Sequence, residues 1–367
     1  QPSITGIQPV CVNSTIQLNA SANIPDSSTG IWTVTGPATP AFSNSTVVNP
    51  TVTGLTTAGT YTFTWTVRNG NVCPSKSANV VVTVDPLTIT GTVTADETLC
   101  FGSNKTLNLA GNNGQVVRWE SSVNSNFVPT TTINSTTNQI TVNNIQTSTY
   151  YRAVIKSGTC PEMPSNSIRV TIDPTTVAGS LNGPATVCKN GNSGAITLSG
   201  HVGTVVRWEK SLNQSSGYTP IVNTTVLQTY SNLTQTTYYR AVVKSGVCLE
   251  ATTPSVEIKV VKPEYTNTKV DIRCFGEKNG SITLSNPTGG EGAYRYTWSN
   301  GATTQNLTGL GKGTYCVTVF DAINCPTDIC IEITEPTKLE ATFDNMKQVS
   351  CFGVGDGLIN ISVTGAT

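Results

Sequence analysis

Apolar and polar residues alternate along most of the chain. Tyr61, Phe63, Trp65 and Val67 are interleaved with Thr60, Thr62, Thr64 and Thr66. This pattern predicts a strand with one buried aromatic and aliphatic face and one threonine face. It leads into Arg68-Asn69-Gly70-Asn71, where Asn-Gly suits the positive φ angles of a tight hairpin. Val116-Val117-Arg118-Trp119-Glu120 recurs as Val205-Val206-Arg207-Trp208-Glu209, and Thr149-Tyr150-Tyr151-Arg152-Ala153-Val154 recurs as Thr237-Tyr238-Tyr239-Arg240-Ala241-Val242. No segment holds a 3.6-residue period, and Thr, Val and Gly are too frequent for helix. The chain is predicted to be all-β.

Four alternating strands end in a polar residue and proline, at Asp85-Pro86, Asp173-Pro174, Lys262-Pro263 and Glu335-Pro336. Proline removes a ladder donor and keeps the preceding residue extended, so each strand stops without a flexible tether. The punctuation predicts modules at 1–85, 86–173, 174–262 and 263–336, with a further one beginning at 337–367. Short proline linkers between small sandwiches predict a semi-rigid rod.

Cysteines follow the same ladder. Cys11, Cys100, Cys188, Cys274 and Cys351 each open a module, and Cys73, Cys160 and Cys248 fall near the ends of the first three. We expect one internal disulfide in each: Cys11 with Cys73, Cys100 with Cys160, and Cys188 with Cys248. A closed loop of about 60 residues removes roughly 4 kcal/mol of unfolded-state freedom in the chain-entropy model. In the fourth module Cys316 and Cys330 flank Ile323 symmetrically in a predicted hairpin, so they are paired across it and Cys274 is paired with Cys325. The sequence is compatible with other connectivities as well. Cys351 is left unpaired by truncation, its partner expected beyond Thr367. Zinc is not expected, since the first three modules lack closely spaced ligand pairs.

Charged residues make up only 11% of the chain, with 21 basic and 21 acidic side chains cancelling. Such a surface does not attract nucleic acid or anionic lipid. No apolar run is long enough to span a membrane, and Gln1 does not open a signal peptide, so the sequence reads as a mature or internal fragment. Paired cysteines point to an extracellular compartment.

Catalysis finds little material. The single histidine, His201, lies in the turn Ser199-Gly200-His201-Val202-Gly203, the cysteines are assigned to bridges, and the acids are scattered. No catalytic, cofactor-binding or metal residue is assigned, and the chain is expected not to be an enzyme. Arg118 with Glu120, and Arg207 with Glu209, flank a tryptophan on the opposite strand face, and are read as surface pairs or aromatic stacking partners. The tryptophans are read as core. Asn279 and Asp356 stand in Gly-rich loops that could offer oxygens to calcium but are read as turn formers.

Trp32, Trp119 and Trp208 follow their opening cysteines by about 20 residues, an order resembling immunoglobulin-like sandwiches. The first module, through Gly54-Leu55 and Ala58-Gly59-Thr60-Tyr61, resembles PKD-like domains of bacterial surface proteins. The next two resemble the immunoglobulin-like domains found beside them in secreted Bacteroidetes proteins. The fourth resembles the SprB repeat, carried by Cys274-Phe275-Gly276, Asn279-Gly280-Ser281-Ile282, Gly289-Gly290, Tyr294 to Gly301, Leu307, Leu310, Gly313-Thr314-Tyr315, Asp321 and Cys325. Cys351-Phe352-Gly353, Asp356-Gly357 and Ile359 begin a second copy. The resemblance implies a giant cell-surface adhesin of gliding bacteria, exported by the type nine system and associated with the outer membrane. Its expected partners are an extracellular polysaccharide or solid surface and neighbouring surface proteins or copies of itself. The alternative is a carbohydrate-binding or spacer region of a secreted polysaccharide-degrading enzyme.

Overall fold

The computed structural model describes residues 1–21, 28–70 and 73–365. The described residues form strands, turns and loops without a helix. The expected Asn-Gly turn is described only through Gly70, and its Asn71 lies outside the described residues. Two compact units divide the chain: Gln1–Thr175 with Gly246–Cys248, and Thr176–Ser245 with Leu249–Thr367.

In the first unit, a four-stranded sheet in the order Val10–Cys11, Lys76–Asp85, Gly59–Asn69, Ser28–Thr35 accompanies a three-stranded sheet of Ile16–Gln17, Thr51–Thr53 and Ala41–Phe42. Their shared core holds Leu18, Trp32, Leu55, Tyr61, Phe63, Trp65 and Val82. The alternation places Tyr61, Phe63 and Trp65 inside, where Trp32 and Trp65 meet with ring centroids 5.2 Å apart. A second pair of sheets follows, one built on Gln115–Ser122, Thr149–Lys156 and Ile168–Asp173, the other on Ser103–Asn113 between Ile89–Val93 and Gln139–Ile145. Trp119, Leu107, Ile155 and Val170 fill its core.

In the second unit the same pattern recurs, with Thr204–Ser211, Thr237–Lys244 and Val256–Val261 in one sheet and Trp208, Ile196 and Ile258 in the core. It is followed by two three-stranded sheets, Asn267–Val270 with Gly280–Leu284 and Leu307–Leu310, and Arg295–Trp298 with Gly313–Phe320 and Pro326–Ile333. Trp298, Ile282, Val319 and Ile333 pack between them. Glu340–Lys347 and Leu358–Thr364 form a final hairpin, exposed along both strands.

Four core tryptophans are fixed in the same way. Each indole N–H donates to a loop carbonyl: Trp32 to Val47 (3.1 Å), Trp119 to Thr137 (3.0 Å), Trp208 to Thr225 (2.9 Å) and Trp298 to Thr304 (2.8 Å). The ring supplies apolar area while its one polar atom is satisfied.

The expected disulfide pairing requires correction. The bridges are Cys11–Cys160, Cys100–Cys248, Cys188–Cys325 and Cys316–Cys330. Only the last matches the expectation: Cys316 and Cys330 are opposed residues of an antiparallel pair, with Cα atoms 3.9 Å apart. Cys73 and Cys274, expected to be bridged, are exposed and free, as is Cys351.

Strand direction is the reason. Each of the first three opening cysteines ends a short strand that runs parallel to the last strand of its own module, in the registers Cys11 to Asp85, Cys100 to Asp173 and Cys188 to Val261. It therefore lies at the module's exit. The tyrosine strand runs antiparallel to that last strand, pairing Gly59 with Val84 and Val67 with Lys76, so Cys73 lies at the entrance. A ten-residue strand such as Lys76–Asp85 separates the two ends by about 30 Å. A disulfide requires Cα atoms within about 7 Å. The same geometry holds Cys274 apart from Cys325: Ile272 N–H donates to the Thr334 carbonyl at the exit (3.0 Å), while Cys325 directly precedes Pro326 at the opposite end of Pro326–Ile333.

Truncating either repeated tryptophan tests the core. Trp119→Ala and Trp208→Ala should each lower unfolding free energy in urea by about 3 to 5 kcal/mol, whereas Phe275→Ala, at an exposed ring, should change it by no more than about 0.5 kcal/mol.

Candidate functional site: the clasps at the module ends

The recurring polar constructions of this chain sit beside its bridges. In the first unit, the Asp85 carboxylate accepts hydrogen bonds from Thr159 N–H (2.8 Å) and the Thr159 hydroxyl (2.9 Å), immediately before Cys160. Thr88 completes the clasp, its hydroxyl accepting from Ser157 N–H (3.1 Å) and donating to the Pro161 carbonyl (3.0 Å). Because Cys11 is paired in register with Asp85, one carboxylate fixes the turn that presents Cys160 to Cys11. Asp173 repeats the role, accepting from Val247 N–H (2.9 Å) beside Cys248, with Cys100 in register beside it.

This explains the glycine of the two Ser-Gly turns. Gly158 and Gly246 have φ of 49° and 46°, and an added Cβ would come within 2.2 Å of the Asp85 carboxyl group and 1.8 Å of the Asp173 carboxyl group. Only glycine satisfies both the left-handed backbone and the close approach.

In the second unit the arrangement is reversed. Lys262 stands where an aspartate would be, and the carboxylate comes from Asp321, which is fully buried. Asp321 accepts from Cys325 N–H (2.8 Å), Ile323 N–H (3.1 Å) and Glu291 N–H (3.0 Å). It holds Cys325 toward Cys188, while Thr327 donates its hydroxyl proton to the Pro263 carbonyl (2.8 Å) and Tyr265 donates to the Thr327 carbonyl (3.1 Å). Burial pushes the Tyr265 phenol up to about 12, with Asp328 adding to the shift. Asp321 is thus satisfied entirely by backbone donors, which suits a rigid turn.

The arginine and glutamate pairs form a second construction. Glu120, only 5% exposed, receives Nε–H bonds from Arg118 (2.9 Å) and Arg152 (2.7 Å), and Arg118 also reaches Glu162 (2.6 Å). Glu209 is held likewise by Arg207 (2.8 Å) and Arg240 (2.7 Å), with Glu250 on Arg207 (2.9 Å). Arg152 covers Phe127 at 3.9 Å and Arg240 covers Tyr218 at 3.7 Å. The expected pairing of Arg118 with Glu120 and of Arg207 with Glu209 occurs, with the carboxylate buried, while the stacking is made by Arg152 and Arg240 instead. Burial raises the Glu209 carboxyl, and the hydrogen bonds and charges of Arg207 and Arg240 outweigh it, leaving it below the ordinary value.

Asn279 and Asp356 perform one task. The side-chain oxygen of each accepts the N–H of the residue preceding the opening cysteine: Arg273 to Asn279 (3.2 Å) and Ser350 to Asp356 (3.0 Å). His201 lies in an irregular segment beside the bridge residue Val202. Among the described residues no group of three or more His, Cys, Asp or Glu is placed to share a metal ion.

Residues 266–303 match the SprB repeat family, and residues 89–174 and 177–262 match a domain family of unknown function, DUF8696. No curated protein matches the chain. Among solved structures, an I-band fragment from titin is similar at 11% identity over 71% of this chain and 98% of its own (TM-score 0.47). The four N-terminal Ig domains of a Dscam1 isoform are similar at 13% identity over 91% of this chain and 99% of their own (TM-score 0.27).

Two measurements test the site. Peptide mapping without reductant should recover Cys11 linked to Cys160, Cys100 to Cys248 and Cys188 to Cys325, with Cys73 and Cys274 alkylated. As pH falls from about 5 through the lowered pKa of Glu209, the stabilisation that is complete above the unfolded-state value should be lost. Glu209→Gln should therefore flatten the acid limb of the thermal midpoint and cost about 1 to 3 kcal/mol at neutral pH.

Proposed function

We propose that this chain is a load-bearing, non-enzymatic segment of an extracellular, adhesin-like repeat protein, acting as a mechanical stalk and adhesive surface. The observation that carries this reading is the linkage of successive modules by disulfides backed by carboxylate clasps, in a chain whose residues 266–303 match the SprB repeat. Disulfides of this kind persist in oxidising compartments. Among the described residues no helix is long and apolar enough to cross a membrane.

The finer reading rests on the SprB resemblance. The protein works at the cell surface in gliding motility, exported by the type nine system, associated with the outer membrane, and engaging extracellular polysaccharide or a solid surface. Neighbouring copies or other surface proteins are further partners.

An antibody against residues 1–336, applied to live moving cells and followed by fluorescence, tests this. Label that travels along the cell supports a motor-driven adhesin. Label that stays fixed, or appears only in the medium, rejects that role and favours a static filament or the appendage of a secreted polysaccharide-degrading enzyme.

A further inference from the structure

We infer that the overlapping bridges form a tension bypass, so that a pull on the two ends of the oxidised chain runs through only about 80 of its 367 residues. The loop closed by Cys11–Cys160 spans 149 residues and that closed by Cys188–Cys325 spans 137. Neither loop lies on the shortest covalent route. Tension entering before Cys11 crosses to Cys160, follows about 28 residues to Cys188, crosses to Cys325, and leaves through about 42 residues to Thr367.

Most of the core strands lie inside the two loops. Trp32, Trp65, Trp119, Trp208 and Trp298 all fall within 12–159 or 189–324. Ile168–Asp173 of the second core and Pro326–Ile333 of the fourth stay on the route, so unfolding there releases only the slack of those segments, while the looped strands release none. The third interlocking bridge, Cys100–Cys248, begins inside the first loop and ends inside the second. It adds nothing to the shortest route while the others are intact. If Cys11–Cys160 is lost, it carries the load from Cys100 to Cys248 and back to Cys188, limiting the route to about 200 residues.

This device depends on bridge connectivity and not on any ligand. It stands or falls separately from the adhesin reading.

Single-molecule stretching of the full chain, tethered by peptide tags at Gln1 and Thr367, tests it. At about 3.3 to 3.6 Å per extended residue, the oxidised chain should reach a contour of roughly 260 to 290 Å, and reduction should lengthen it four- to fivefold. Cys100→Ser with Cys248→Ser should leave the oxidised contour unchanged, and Cys11→Ser with Cys160→Ser should lengthen it about 2.5-fold. Peptide mapping of each variant without reductant confirms that its remaining bridges are the native ones before its contour is read. An oxidised contour of about 130 residues, expected if Cys11–Cys73, Cys100–Cys160, Cys188–Cys248 and Cys274–Cys325 formed instead, would overturn the bypass. So would a contour unaffected by reduction.

Discussion

Parallel pairing of a short opening strand with the last strand of the same module is the constraint on which this architecture depends. Parallel strands cannot be joined by a hairpin, so the chain must cross the whole module between Val10–Cys11 and Lys76–Asp85. The crossing places the opening cysteine at the exit, beside the proline boundary. An antiparallel opening strand would have placed the same cysteine at the entrance, where a local bridge could form. The interlocked covalent pattern is thus decided by the direction of a two- to four-residue strand.

The carboxylate clasps show how a junction can be kept in register by hydrogen bonds to the backbone. Asp85 and Asp173 reach forward from the end of one strand to the turn before a cysteine, and Asp321 acts from within the turn that holds its own cysteine. All three satisfy backbone N–H groups that would otherwise be left unpaired near a disulfide. The chemistry is retained although the donor segment changes sides. Glu120 and Glu209 use carboxylates differently, holding neighbouring strands together through guanidinium groups. One carboxylate type organises turns while the other organises sheet faces.

Much of this was legible in the chain. Period-two alternation identifies the strands and the buried faces of Tyr61, Phe63 and Trp65, and the strand-then-proline pattern finds Asp85 and Asp173. Strand direction was hidden, because alternation is the same for parallel and antiparallel neighbours, and the bridge partners followed from direction. One clue lay in the sequence: Asp-Pro precedes the two modules that contain Lys-Ser-Gly before their cysteine, while Lys262-Pro263 precedes the one that does not. That correlation reflects the contact between Asp85 or Asp173 and the glycine turn. The burial of Glu120 and Glu209 was also hidden, since their partners Arg152 and Arg240 arrive from a strand about 30 residues away.

The spacing of Cys11 from its partner has a consequence for maturation. In an unfolded chain, Cys73 is closer in sequence than Cys160, and loop closure alone favours the wrong pair by about 0.8 kcal/mol. Only the folded sheet, which carries Cys11 and Cys73 to opposite ends, removes that competition. The native bridges are therefore selected by the folded sheets, either before oxidation or through exchange of earlier, wrong pairs. The tryptophan-centred cores are consequently prerequisites for correct bridging, and the disulfides tie successive modules together rather than create the modules themselves.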